Sequence, residues 1–109
     1  MNRQFIEMIL FSKAWEALEL GDDALDTLER QLLANPNAGA IMPGCGGARK
    51  IRVALPGRGK SGSARVIYVD FVVRQQIYLL LAYPKGKQET LTPEQKQNIS
   101  RLVKILKEE

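Results

Sequence analysis

The chain of 109 residues contains no histidine and a single cysteine, and each shortage excludes a class of chemistry. Without histidine, and with Cys45 alone, the usual zinc ligand sets and the Ser-His and Cys-His nucleophile pairs cannot be assembled. An intramolecular disulfide is excluded as well. We therefore expect neither a bound metal nor any other cofactor.

Long hydrophobic runs are also missing. The N-terminal segment has an apolar stretch of at most six residues, which Glu7 interrupts, and this is too short for the hydrophobic region of a secretory signal. The apolar run Ile77 to Tyr83 is far too short to span a bilayer. We expect a cytoplasmic protein without membrane contact.

The length and the 45% hydrophobic content suit one small globular domain over residues 1–109.

Positive charge is concentrated in the middle of the chain. Residues 1–43 carry 3 basic and 7 acidic side chains, residues 44–87 carry 9 basic and 1 acidic, and residues 88–109 carry 4 of each, which gives the overall net charge of +4. A local excess of this size in a compact domain is self-repelling, and an anionic partner explains it better than solubility does. The charge distribution predicts binding to a polyanion.

The first third of the chain predicts a strand and two helices. Residues Phe5 to Leu10 are apolar enough for a strand, and Gly21 ends a first helix whose apolar positions at helical spacing are Phe11, Trp15 and Leu18. Asp22 is placed to cap a second helix, which Asn35 ends. The apolar face of this second helix consists of Leu25, Leu28 and Leu32.

The remainder predicts three strands and a final helix. In residues 48–54 the alternation places Ile51 and Val53 on one face and Lys50 and Arg52 on the other. After a glycine-rich loop over residues 55–62, strands at 65–73 and 77–83 form a hairpin with a turn at residues 74–75. A capping box at residues 92–95 opens the last helix. These elements predict an α+β fold with a mainly antiparallel sheet.

A set of short strings gives the first indication of a family. GCGGARKIRVALPGRGK is followed by RVIY, IYLLLAYPK and LTPEQK, and this order resembles the RelE/HigB superfamily of ribosome-dependent messenger-RNA-cleaving toxins. The HigB-like branch is most similar, with its Gly-Gly-x-Arg-Lys strand, Gly-Arg-Gly-Lys loop and Tyr-x-Lys strand end. The resemblance covers residues 35–107 nearly continuously. It implies a RelE-like microbial RNase fold, in which two N-terminal helices pack on a twisted, mainly antiparallel sheet and a C-terminal helix follows.

The resemblance also implies a function and partners. The chain would be the toxin of a type II toxin-antitoxin system, a metal-independent mRNA interferase that cuts messenger RNA in the ribosome and leaves a 2′,3′-cyclic or 3′ phosphate. Its resident partner would be a cognate antitoxin, a helix-turn-helix protein of the HigA-like kind. Operator DNA would be contacted only through the complex with that antitoxin.

Candidate site residues follow from matching the family's strings to this chain. Arg65 is expected to stabilise the phosphorane, Lys85 to act as the acid, and Tyr83 to orient the nucleophile or stack on a base. Lys50 is a catalytic candidate because clustered like charges disfavour the ammonium form, so that a lysine can serve as base where histidine is absent. The remaining cations are expected to bind RNA phosphates: Arg49, Arg52, Arg58, Lys60 and Lys87.

Two departures from the family pattern bear on this site. Pro84 stands between Tyr83 and Lys85, where the family commonly has a small flexible residue, and it is expected to turn Lys85 to a different angle. Val69 and Asp70 stand where relatives are often more aromatic, which predicts weaker base stacking.

Simpler interpretations remain open beside this one. On pattern alone, Tyr83 is a core edge residue, Lys50 and Arg52 form a solvated strand face, and Arg74 solvates a turn. Trp15 is expected to be packed in the core, and Cys45 to be a small buried or loop residue without redox chemistry. The alternatives to a ribonuclease are a non-catalytic nucleic-acid-binding module and a degenerate toxin retained for antitoxin or DNA binding.

Overall fold

The computed structural model describes residues 2–54, 63–85 and 91–109. Its elements in chain order are β1 (Gln4–Glu7), α1 (Ile9–Ala17), α2 (Gly21–Ala34), β2 (Ala40–Ile41), β3 (Arg49–Ala54), β4 (Ser63–Phe71), β5 (Gln76–Pro84) and α3 (Pro93–Lys107). The glycine-rich loop expected at residues 55–62 lies outside the described residues.

The strands form one sheet in the order β1-β5-β4-β3-β2. β1 runs parallel to β5, whereas every other neighbouring pair is antiparallel. The expected α+β class and mainly antiparallel sheet are therefore confirmed. β2 was not predicted, because a strand of two residues is too short to show alternation.

The two N-terminal helices cover one side of the sheet, which we call the α1–α2 face. Phe11 and Trp15 stack with ring centroids 5.4 Å apart, and Trp15 also donates a hydrogen bond to the Gly21 carbonyl oxygen at 3.1 Å. The buried side chains of this face are Phe11, Trp15, Leu28, Leu32, Ile51, Val66, Tyr68, Ile77, Leu79 and Ala82. The apolar stripes on both helices therefore pack against the sheet, as their spacing predicted.

α3 packs on part of the opposite side, which we call the α3 face. Ile99, Val103 and Leu106, spaced for one side of a helix, are buried there. Cys45, which the sequence left as either a buried or a loop residue, lies between β2 and β3 and is buried in the same core. The other buried residues of this face are Met42, Ala48, Ile67, Val69, Tyr78, Leu80, Tyr83 and Leu91. The sheet is thus the middle layer between two apolar cores.

A β-bulge interrupts the pairing of β4 with β5. Ile67 pairs with Leu81 and Tyr68 with Leu79, so Leu80 is an extra residue on β5. Leu80 is buried in the same core as Ile67. Because the bulge adds one residue to one strand only, the inward and outward positions of β5 exchange beyond it.

Two expected boundaries in the first third are wrong. β1 ends at Glu7 and α1 begins at Ile9, so the apolar residues at 9 and 10 belong to a helix; there they are largely exposed. α2 begins at Gly21, whose φ of 79° favours glycine. Asp22 therefore lies inside the first turn and does not act as the N-cap. Its carboxylate interacts favourably with the positive end of the helix dipole there.

α3 is secured at both ends. The predicted capping box is confirmed, since the Gln95 amide donates to the Thr92 hydroxyl at 3.1 Å and the Thr92 amide donates to the Gln95 side chain at 2.9 Å. The prediction that Arg74 solvates a turn is wrong. Its guanidinium, in the β4–β5 turn, donates to the carbonyl oxygens of Leu106 and Lys107 at 2.6 and 2.7 Å, and so neutralises the C-terminal end of the helix.

Candidate functional site

Three of the expected site residues lie in one row across the sheet. Arg52 on β3 pairs with Arg65 on β4, and Arg65 pairs in turn with Tyr83 on β5. Val66 and Ala82 point into the α1–α2 core, so their neighbours Arg65 and Tyr83 point to the α3 face. Directly opposed side chains in an antiparallel pair have Cβ atoms about 5 Å apart. The row therefore places two guanidinium groups and one phenol side by side.

Arg65 is half-buried, and part of its guanidinium has no protein partner. The Nη1 atom is buried without a hydrogen bond, and within residues 2–54, 63–85 and 91–109 Arg65 takes part in no ion pair. A buried donor without an acceptor costs about 1–3 kcal/mol, so folded proteins rarely retain one without a function. The Arg65 guanidinium is consequently placed to receive an acceptor from outside the chain.

The Tyr83 hydroxyl is also a buried donor without a partner among the described residues. Only 8% of the residue is exposed, and its hydroxyl is a buried polar atom for which the described residues supply no hydrogen-bond partner. Burial raises the pKa of the Tyr83 phenol, and the nearby Arg65 charge opposes this effect in part. At neutral pH the phenol is therefore protonated, and it acts as a hydrogen-bond donor rather than as a base.

Lys50 and Lys85 lie next to this row. Lys50 pairs with Ile67, two residues from Arg52 on the same face of β3. The Lys85 amide donates to the Ser63 carbonyl oxygen at 2.9 Å, and Pro84 still pairs with Ala64, so the strand pairing continues through the proline. The backbone of Lys85 is therefore held at the end of the strand pair that carries Arg65.

Ser63 is a polar residue at this site that the sequence analysis missed. It is 1% exposed, and its Oγ is a further buried atom without a partner, at the start of β4 and beside the end of β5. The only sequence signal was a serine directly before a strand, which is also typical of an ordinary loop end. A third unpaired donor thus lies at the same end of the β4–β5 pair.

Arg49 is not brought together with the other cations. It shares the face of Ile51, because neighbouring residues of a strand point to opposite sides. Its Nη1 donates to the Gly39 carbonyl oxygen at 2.8 Å and thereby fixes the segment before β2. The expected phosphate binders Arg58, Lys60 and Lys87 lie outside the described residues.

Tyr68 has a structural role on the other face. Its hydroxyl donates to the Pro36 carbonyl oxygen at 2.8 Å and accepts from the Gly39 amide at 2.9 Å. Burial raises the pKa of this phenol as well. Tyr68 is fully buried and therefore cannot stack on a base.

The described residues hold no group of three or more His, Cys, Asp or Glu side chains arranged to bind a metal ion. In the same ranges no helix is long and apolar enough to cross a membrane. What the row offers chemically is hydrogen-bond donation and positive charge: the guanidinium groups of Arg52 and Arg65, the phenol of Tyr83 and the adjacent ammonium of Lys50.

The fold and this row define a small α+β protein whose sheet presents unpaired donors and positive charge on one face. A family model described as the RelE toxin of the RelE/RelB toxin-antitoxin system matches residues 10–109. The chain belongs to this RelE toxin family and is the toxin component of a toxin-antitoxin pair. Membership implies a cognate antitoxin as partner.

A solved structure has the same fold. It is a double arginine-to-alanine mutant of the E. coli toxin RelE in the free state, with a TM-score of 0.53 and 16% sequence identity. The match covers 82% of this chain and 90% of that chain. The RelE-like architecture inferred from the short strings is therefore confirmed.

Proposed function

We propose that the protein is a metal-independent endoribonuclease that cuts messenger RNA in the ribosome. The observation that carries this proposal is the pair of buried donors, Arg65 Nη1 and the Tyr83 hydroxyl, adjacent on one face and without acceptors among the described residues. A phosphate group has several acceptor oxygens and satisfies both donors at once. It also neutralises the charge of the Arg52–Arg65 row.

The reaction is a transfer within the RNA. The ribose 2′ oxygen forms a bond to the adjacent phosphorus, the bond from phosphorus to the 5′ oxygen of the next nucleotide breaks, and the products are a 2′,3′-cyclic phosphate and a free 5′-hydroxyl. A base accepts the 2′-hydroxyl proton, and an acid supplies a proton to the departing oxygen. Cations stabilise the additional negative charge on the phosphorane.

The roles follow from chemistry and position. Arg65, always charged and pointing to the α3 face, stabilises the phosphorane, and Arg52 binds adjoining phosphate oxygens. Tyr83 keeps its proton at neutral pH, so it donates a hydrogen bond and orients the linkage. Lys50 then accepts the 2′-hydroxyl proton, and Lys85 supplies the proton for the leaving group. A chain without histidine gains most from a substrate that the ribosome holds in line for attack.

The partners proposed with this activity are those of the HigB-like branch. The antitoxin is a small helix-turn-helix protein of the HigA-like kind, and operator DNA is bound only through the toxin-antitoxin complex. A neighbouring reading frame with a helix-turn-helix pattern, whose product co-purifies with this chain, is the expected finding. A toxin that binds operator DNA without its antitoxin would contradict this proposal.

The decisive experiment incubates the purified protein with ribosomes programmed with a defined messenger RNA and maps the 5′ ends by primer extension. We expect Arg65→Ala to lower the cleavage rate about 10²- to 10³-fold, the usual loss for one donor to a developing oxyanion. Arg101→Ala is the matched control, because Arg101 is exposed on α3. A 2′-deoxy nucleotide at the cut position should abolish cleavage at that position.

Two results would contradict the proposal. Cleavage that persists with the 2′-deoxy nucleotide would exclude attack by the 2′ oxygen. Wild-type protein that binds programmed ribosomes or RNA but never cuts would indicate a non-catalytic binding module or a degenerate toxin. In cells, expression without antitoxin should arrest growth, and Arg65→Ala should relieve the arrest.

A further inference from the structure

A small cavity lies beside the cationic row, between β2, β3 and the start of α3. Its volume is about 160 Å³. The residues that line it are Ala40, Ile41, Met42, Pro43, Lys50, Leu91 and Lys96. Among the lining residues that the structure describes, most are apolar, none is acidic, and the only charged side chains are the two lysines.

The cavity is continuous with the candidate site through Lys50. Ala40 and Lys50 are directly opposed in the β2–β3 pair, so their side chains lie next to each other on the α3 face. Lys50 and Arg52 are two residues apart on β3, which is a separation of about 7 Å along the strand. A base that enters the cavity can therefore remain attached to a ribose-phosphate linkage held at the Arg52–Arg65–Tyr83 row.

The size of the cavity favours one ring. An apolar protein cavity of about 150 Å³ is known to accept benzene, so a space of this volume fits a single six-membered ring. A purine adds a fused second ring, which would extend beyond the cavity walls into solvent. The apolar walls contact the faces of the ring, as base-binding sites require.

The polar groups favour acceptors on the ring edge. Lysine ammonium groups donate hydrogen bonds and accept none. Both pyrimidines present such acceptors, O2 and O4 in uracil and O2 and N3 in cytosine. No ion pair to Lys96 occurs within the described part of the chain, so its ammonium group is available to the base.

We propose that this cavity is a subsite for one pyrimidine base of the RNA, next to the cleaved linkage. The choice of RNA as the ligand rests on the proposed ribonuclease function. Binding of a base to the cavity can nevertheless be measured without cleavage.

The binding test uses uridine 3′-monophosphate and adenosine 3′-monophosphate with the intact protein, followed by NMR chemical-shift titration. We expect the uridine nucleotide to bind about tenfold more tightly than the adenosine nucleotide, because adenine fits the cavity poorly. Lys96→Gln should weaken binding of the uridine nucleotide severalfold, whereas the control Lys104→Gln, on an exposed position of α3 outside the cavity, should not. Equal affinities for both nucleotides, or shifts confined to residues outside the cavity, would overturn the proposal.

The cleavage test uses a variant that fills the cavity. Ala40→Leu places three additional carbons beside Lys50, and Ala38→Leu is the control because residue 38 is exposed and does not line the cavity. In the ribosome assay the share of cuts next to pyrimidines should fall about tenfold for Ala40→Leu and remain unchanged for Ala38→Leu. An unchanged cut pattern for folded Ala40→Leu overturns the subsite and leaves the ribonuclease intact. Uridine-selective binding without any cleavage supports the subsite and rejects the ribonuclease.

Discussion

Removal of the hydroxyl group from each of two buried tyrosines should change stability in opposite directions. Tyr83 and Tyr68 are both almost inaccessible to solvent, at 8% and 0% exposure. The Tyr68 hydroxyl makes two hydrogen bonds, to Pro36 and Gly39, whereas the Tyr83 hydroxyl makes none with the described residues. Phenylalanine preserves the ring in both cases, so the comparison isolates the hydroxyl.

The expected magnitudes follow from these contacts. Tyr68→Phe breaks two hydrogen bonds and leaves a buried amide and a buried carbonyl without partners, which costs about 2–3 kcal/mol. Tyr83→Phe removes a buried polar group that gains nothing from the protein, so the free energy of unfolding should rise by about 1 kcal/mol. For a domain of this length, 1 kcal/mol corresponds to a change in Tm of about 4 °C.

The assay is urea denaturation followed by the fluorescence of Trp15, the only tryptophan in the chain. The same Tyr83→Phe protein should cut RNA about 10²-fold more slowly, because it lacks a donor to the phosphate. A gain in stability with a loss of activity is the signature of a group retained for its ligand. If Tyr83→Phe is destabilised as strongly as Tyr68→Phe, the Tyr83 hydroxyl has a protein partner and the reasoning is refuted.

Three further measurements test other parts of the structure. Arg74→Ala should lower the free energy of unfolding by about 1–2 kcal/mol and accelerate amide exchange in the last turn of α3, since three carbonyl oxygens lose their donor; unchanged exchange would contradict the capping role. Gly39→Ala should cost about 1–3 kcal/mol by urea denaturation, because a Cβ there would lie 2.8 Å from the Lys50 carbonyl oxygen and 2.9 Å from the Tyr68 ring, and a wild-type midpoint would refute this crowding. The raised pKa values of Tyr68 and Tyr83 mean that the folded protein keeps phenolic protons which the unfolded chain releases above about pH 10. Stability should therefore fall as pH rises past that point, and less steeply in Tyr83→Phe; a flat profile would contradict it.

Local sequence patterns predicted much of the fold, since they involve interactions between residues close in the chain. The capping box at Thr92 and the alternation of Ile51 with its basic neighbours each depend on a few consecutive residues, and both are confirmed. Arg74 could not be assigned in this way. Its acceptors lie more than thirty residues further along the chain, and nothing near position 74 indicates them.

The candidate site was only partly predictable for the same reason. Family strings identified Arg65 and Tyr83, but their adjacency depends on the register between two strands. Arg49 was grouped with Lys50 by its charge, although strand alternation places neighbouring residues on opposite faces. The cavity beside Lys50 depends on a two-residue strand and on the start of α3, and no local pattern joins these two segments.

The extra residue in β5 also determines which way the end of that strand faces. If β5 paired regularly through Leu80, Leu80 would lie opposite Ile67, and residue 82 would take the position opposite Arg65 that Tyr83 now occupies. The bulge at Leu80 is therefore as much a part of the site as its side chains. Regular pairing with every residue retained would bury the phenol against α1 and α2, away from the guanidinium of Arg65.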